Sequence, residues 1–101
     1  MNASAEAFDQ SGRPDVDPAR FGTIFATGIG GLHTIEDQIQ VRLSKGDRRV
    51  SPFLVPMLMA NAPGAAISMR YGLQGPNETI TTACAASAHA IGYAARLIAW
   101  G

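Results

Sequence analysis

Three features of the sequence predict a partial α/β fold. Two short β-prone runs, residues 20–27 and 77–82, alternate with stretches of helical periodicity, giving the order β-α-α-β-α. The breaks fall on glycine and proline: Gly28-Ile29-Gly30-Gly31, Gly46, Ser51-Pro52, Gly72 and Gly75-Pro76. The apolar share is 47% of 101 residues, but it comes largely as small side chains, with 11 Gly, 7% aromatics and an Ala-rich second half. Such residues pack elements closely and bury little area each, in a chain length that buries about two-thirds of its unfolded surface or less. This composition suits elements set deep inside something larger, so the chain reads as part of a protein.

Taken in order, Ala3 to Gln10 carries helix formers with Ala3, Ala7 and Gln10 on one face and Gly12 just beyond, the last turns of a helix. Ser11 to Pro18 is a turn-rich link with two prolines. Arg20 to Thr27, with Phe21, Ile24 and Phe25, is predicted to be a buried strand. The GIGG run opens a helix over Thr34 to Ser44, where Ile35, Ile39 and Leu43 recur opposite Glu36, Gln40 and Arg42, and Gly46 ends it. Lys45 to Val50 forms a basic loop, and Ser51-Pro52 leads into residues 53–60. A helix from Asn61 or Pro63 to Arg70 is closed by Gly72. Asn77 to Thr82 is a strand, and Ala85 to Trp100 a long helix whose apolar face is Ile91, Ala94, Ala95 and Ile98.

Several function classes are excluded. Eight basic and eight acidic residues give a formal net charge of +0, which argues against a nucleic-acid binder. The apolar run from Ser51 to Met69 is broken by Pro52, Pro56, Asn61 and Pro63, so no membrane span is expected. Residues 1–17 carry Glu6, Asp9, Asp15 and Asp17 without a continuous apolar core, unlike a secretory or transit peptide, and a cytoplasmic location is expected. The single cysteine forms no internal disulfide, and two histidines offer no structural zinc spacing; neither a metal nor a cofactor is expected.

The chemistry-bearing segment is Thr81-Thr82-Ala83-Cys84-Ala85-Ala86-Ser87, a thiol placed where a strand turns into a helix. Backbone N–H groups and the positive helix end beside the sulfur favour thiolate, and the same amides can hold an oxyanion when sulfur attacks an acyl carbonyl. Ala83, Ala85 and Ala86 leave room for the turn and a substrate. The competing reading is a small buried hydrophobe. No partner base is evident: His89, five residues on, points about a turn and a half away, and both it and His33 read as structural or solvent-facing. The GIGG run departs from a dinucleotide fingerprint at His33, and close helix packing explains its glycines. Arg42, Lys45, Arg48 and Arg49, offset only by Asp47, form either a solvated loop or a docking site for an acidic partner.

The succession GIGG, SPFLVP and YGLQGPNETITTACAASAHAIGYAARLIAWG resembles the β-ketoacyl-acyl carrier protein synthases of the synthase II type and their type II polyketide relatives, over residues 20–101 most strongly. The resemblance implies a thiolase-like fold of two similar α/β halves, with residues 1–101 an internal part of the first. It implies that Cys84 takes an acyl group from acyl carrier protein as a thioester, that malonyl-carrier protein is decarboxylated, and that the carbanion attacks the thioester. It places Ile29 and Leu54 at the acyl pocket, where many relatives carry Phe in place of Leu54, and Arg48 and Arg49 at the carrier-protein contact. It also implies a homodimer, paired through the strand Glu78 to Thr82. Relatives carry two catalytic histidines, a lysine and a glycine-rich gate in the C-terminal half, so residues 1–101 alone are expected to be inactive. The alternatives are a polyketide ketosynthase, a non-catalytic chain-length-factor type of module, and an enzyme using coenzyme A thioesters.

Overall fold

The computed structural model describes residues 2–12 and 14–101. Met1, and Arg13 within the Ser11–Pro18 link, lie outside the described residues. The elements are α1 (Asn2–Gln10), β1 (Thr23–Thr27), α2 (Leu32–Lys45), α3 (Leu54–Leu58), α4 (Ala62–Tyr71), β2 (Asn77–Thr81) and α5 (Ala86–Trp100). The two strands pair in parallel, from Thr23 opposite Asn77 to Thr27 opposite Thr81. The β-α-α-β-α order therefore forms the predicted α/β unit, with a small third helix, α3, in the 53–60 segment.

Successive residues of a strand face opposite sides, and the two sides of this sheet meet different helices. Thr23, Phe25, Asn77 and Thr79 face α4. There the Asn77 side-chain amide donates to Ser68 Oγ at 3.0 Å, and the Ser68 hydroxyl donates to Thr23 Oγ1 at 2.9 Å. Thr79 Oγ1 is also buried on this side and has no hydrogen-bond partner among the described residues. Glu78 faces α5, where Tyr93 Oη donates to its carboxylate at 2.9 Å. The result is a sandwich of α4, sheet and α5.

Small residues make the contacts. The buried apolar residues among those described are Ala86 at 3% and Ala90 at 8% exposure. Ala86, Ala90, Tyr93, Ala94 and Leu97 form the side of α5 that lies on the sheet; of the expected face Ala94 is there, whereas Ala95 is exposed and Ile91 and Ile98 are 72% and 82% exposed, which corrects the rest. Large apolar residues on the outer side, beside small ones on the sheet, suit a helix that further structure covers in a larger fold. The same correction applies to α2, whose covered positions are Thr34, Gln38 and Val41 while Ile35, Ile39 and Leu43 are exposed, and to α1, where Ser4, Ala5 and Phe8 are covered rather than Ala3, Ala7 and Gln10. Phe8 stacks on Phe21 at 5.6 Å and on Tyr71 at 4.4 Å.

Strand β1 starts at Thr23, later than the expected Arg20, because Pro18–Arg20 forms a turn of 3-10 helix. Asp17 caps it by accepting from the Ala19 N–H at 2.9 Å, and proline at its start supplies a preset φ. The strand is half-buried beyond Thr23 rather than buried throughout. Its entry is pinched against that of β2: Thr23 N–H donates to Pro76 O at 2.7 Å, and a Cβ on Gly22 would stand 2.5 Å from the same oxygen.

Within the GIGG run Gly31 packs closely, as expected from the sequence, Gly30 takes a φ of +103°, and Gly28 has no close neighbour. Gly31 N–H donates to Leu58 O at 3.1 Å, and a Cβ at Gly31 would lie 2.6 Å from Leu58 Cα, whereas one at Gly28 meets nothing within 4 Å. Gly31→Ala is expected to lower stability by about 1–3 kcal/mol, the usual range for overpacking. Gly28→Ala should stay within roughly 0.5 kcal/mol of the parent, as at open surface sites. Urea denaturation of the two variants in parallel tests the difference.

Candidate functional site

Parallel pairing brings the carboxyl ends of both strands to one edge of the sheet, where α/β folds characteristically bind ligands. The loop after β1 (residues 28–31) and the turn after β2 (residues 82–85) leave that edge from the directly paired Thr27 and Thr81. The second of these carries Cys84, which is exposed and free.

The thiol sits in a turn of 3-10 helix, Ala83–Ala85, wedged between β2 and α5. Ala83 has φ of +48°, the left-handed region. Such a conformation costs a residue with a Cβ about 1–3 kcal/mol and persists only where the surroundings enforce it. Alanine is the smallest chiral residue that can occupy it, which gives Ala83 its physical reason; Ala85 and Ala86 are already in the right-handed region. Two backbone hydrogen bonds close the turn, Ala85 N–H to Thr82 O at 3.1 Å and Ala86 N–H to Ala83 O. Neither uses the N–H of Cys84. The anchored end of the turn is Ala86, seated on the sheet at the start of α5.

His89, expected to be structural or solvent-facing rather than a base for the thiol, is an exposed ring with a specific partner. Its Nδ1 lies 2.8 Å from Thr82 Oγ1. Side chains on a helix lean toward its N-terminus, so the ring on the second turn of α5 reaches back over the first turn to the strand end. His33 is likewise an exposed ring, but its neighbours are Glu36 at 4.0 Å and Asp37 at 3.8 Å on its own helix.

The remaining expected site residues lie on separate elements. Ile29 is 69% exposed at the tip of the loop after β1, and Leu54 is the half-buried first residue of α3. Between that loop and the α3–α4 junction is a cavity of about 280 Å³, lined by Phe25, Thr27, Gly31, Met57, Met59 and neighbours; neither Ile29 nor Leu54 belongs to its lining. Arg48 and Arg49 are exposed in the turn of 3-10 helix after α2. Asp47, the acid of that loop, is held by Arg42, with Nε to Oδ1 at 3.0 Å. Among the described residues none of Lys45, Arg48 and Arg49 has an ion-pair partner, so the positive excess of the loop resides on those three, with Arg48 and Arg49 adjacent in the turn. Gln38 Oε1 accepts from the Ser51 N–H at 2.7 Å and ties the end of the loop to α2. Among the described residues no helix is long and apolar enough to cross a membrane.

The family model for the β-ketoacyl synthase N-terminal domain matches residues 1–101. The chain belongs to this family. The match takes in α1 and the link after it, which the sequence resemblance covered less well. The chain is 44% identical to 3-oxoacyl-[acyl-carrier-protein] synthase 2 of Vibrio cholerae over 101 residues, which is 98% of this chain and 24% of that protein. It is 45% identical over 87 residues to the enzyme of the same name from Rhizobium meliloti, covering 86% of this chain and 21% of the relative. The mitochondrial 3-oxoacyl-[acyl-carrier-protein] synthase of Arabidopsis thaliana is 43% identical over 82 residues, 81% of this chain and 18% of the relative. Among solved structures, a ketosynthase bound to the hexaketide, in complex with its type II polyketide synthase acyl-carrier protein, superposes with a TM-score of 0.77. It is 31% identical and covers 88% of this chain and 26% of its own. This β-ketoacyl synthase segment thus spans about a quarter of the length of the Vibrio relative, and its α/β unit is that of a ketosynthase.

A second side-chain link fastens α5 to β2 beside the site. The Tyr93 phenol has its pKa raised above 10.0, first because its hydrogen bond to Glu78 holds the neutral form, then through partial burial and the carboxylate's charge. The folded-state value being the higher, this link stabilises the fold below the unfolded phenol's pKa, and the contribution is lost as pH rises through the folded value. In a Tyr71→Phe background, ultraviolet titration should find Tyr93 ionising above pH 10, and Glu78→Gln, which keeps an acceptor but removes the charge, should lower the midpoint.

Proposed function

We propose that this chain is the nucleophile-bearing segment of an elongating β-ketoacyl-acyl carrier protein synthase of fatty acid synthesis. The observation that carries the reading is the single exposed thiol, held on a strained turn at the carboxyl edge of the sheet, in a segment 44% identical to a 3-oxoacyl-[acyl-carrier-protein] synthase. Cys84 sulfur attacks the acyl-carrier thioester carbonyl, the carrier thiol leaves with a proton, and the acyl group remains on Cys84. Malonyl-carrier protein then loses carbon dioxide, and its carbanion attacks the Cys84 thioester, expelling the thiolate and leaving a β-ketoacyl carrier protein. The Cys84 N–H, unused in closing the turn, supplies one oxyanion donor.

Arg48 and Arg49 are the carrier-protein contact in this reading, supported by their exposure and by the pairing of Asp47 with Arg42. Ile29 and Leu54 border the acyl chain, and the complete synthase is a cytoplasmic homodimer joined through the free edge of β2. The polyketide alternative draws on the ketosynthase structure, but the identity is higher to the 3-oxoacyl synthases, 44% against 31%. A chain-length-factor role is disfavoured by the presence of Cys84. Residues 1–101 alone are expected to condense nothing, and turnover by them alone would overturn that part of the reading.

The test exchanges residues 1–101 for the matching segment of the Vibrio cholerae synthase. Incubation with acyl carrier protein charged with a fatty acyl group should add one acyl group to Cys84, seen by peptide mass spectrometry, and Cys84→Ala should abolish it; an adduct surviving that change sinks the reading. Reversing both arginines, Arg48→Glu with Arg49→Glu, should weaken carrier-protein affinity by roughly tenfold or more at low salt and by less at high salt. Unchanged affinity would remove the docking assignment.

A further inference from the structure

We propose that His89 is a positioning residue for the thiol, acting through Thr82 to lock the turn that carries Cys84. The inference rests on the nucleophile reading of Cys84 for its functional meaning, but its structural content stands on separate observations.

The turn between β2 and α5 needs an external restraint. Ala83 is held in the left-handed region, and Thr82 before it is extended in φ at −136°. Residues 82–85 are all exposed and three of the four are Ala or Cys, so little packing holds them. Neither the turn nor α5 has a side-chain cap, although a threonine hydroxyl stands where one could serve. That hydroxyl is committed elsewhere, 2.8 Å from Nδ1 of His89, seven residues along. The bond therefore closes a loop whose two feet are the last residue before the turn and the second turn of α5, with Cys84 inside it. Ala86 and Ala90, one on each side of His89 in sequence, are the two buried apolar residues of α5, so the helix that presents the ring is itself fixed on the sheet. A ring anchored there fixes Thr82, and Thr82 with Ala86 brackets the thiol.

The partner types suit the task. A hydroxyl donates to a bare imidazole nitrogen and accepts from a protonated one, so the link persists in either state of the ring. What it requires is a polar atom at the Nδ1 position. Asparagine places an amide atom there, whereas glutamine places its own where Nε2 stands, and this difference separates a positional requirement from a need for any polar residue.

The experiment uses the Vibrio cholerae synthase carrying residues 1–101 of this chain. Thr82→Val and His89→Ala are each expected to slow acylation of Cys84 by roughly tenfold, the scale of a small misplacement of a reacting group, with KM for the acyl-carrier protein unchanged. The double variant should be no slower than either single one, His89→Asn and Thr82→Ser should recover most of the rate, and His89→Gln should not. Amide hydrogen exchange at Ala85 and Ala86 should quicken in the two disruptive variants. Unchanged acylation, losses that multiply in the double variant, or equal rescue by Gln and Asn would each overturn the proposal. Should Val or Ala prevent folding, Asn against Gln carries the comparison. If the acyl group proves not to reside on Cys84, the functional reading falls separately: quickened exchange then still supports the lock, and unchanged exchange overturns it.

Discussion

The parallel register of β1 and β2 is the constraint on which the remaining structure depends. Because both strands run the same way, Thr27 and Thr81 end side by side, and the loop with Ile29 and the turn with Cys84 leave the same edge. An antiparallel pair would send them to opposite ends. The register is held at the far end by the approach of Gly22 to Pro76, and on one face by the chain from Asn77 through Ser68 to Thr23. A slip of one residue would turn Asn77 from Ser68 and Glu78 from Tyr93 together.

The two faces of the sheet use different means to bring a helix close. On the α4 side, glycine and hydroxyls replace bulk: Gly64 stands where a Cβ would come 3.1 Å from Asn77 Oδ1, and Ser68 is buried by its hydrogen bonds. On the α5 side, Ala86 and Ala90 do it with methyl groups. Close approach matters for the site, because α5 begins one residue beyond the turn that holds the thiol, and any movement of the helix over the sheet moves Cys84. The outer side of α5, with Ile91, Ile98 and Trp100, stays open among the described residues. That suits a segment that spans 24% of its Vibrio relative.

Much of this was legible in the order of residues. The end of α4 was readable because Gly72 takes the left-handed φ of 66° that closes a helix. The placement of Cys84 was readable because a β-branched run, Thr79 to Thr82, gives way at once to small helix formers. The start of β1 was not, since the turn that Asp17 and Pro18 nucleate runs on through Arg20, the first residue of the expected strand. The packed faces of α1, α2 and α5 were also misread. On α5 periodicity weights the largest apolar residues, whereas a helix lying tightly on a sheet selects its smallest, and on α1 the cover comes from Phe8 meeting the distant rings of Phe21 and Tyr71.

By itself, then, the sequence determined the order of elements, their glycine breaks, the strand-to-helix position of the thiol, and the family, because these depend on residues within a turn or two of each other. Tertiary structure decided which helix faces are covered, why Gly31 cannot carry a side chain, and that His89 answers to Thr82. Those outcomes depend on the shapes of surfaces brought together from distant positions, as when Ser68 meets Thr23 across 45 residues, and no local pattern encodes the distance at which two backbones come to rest.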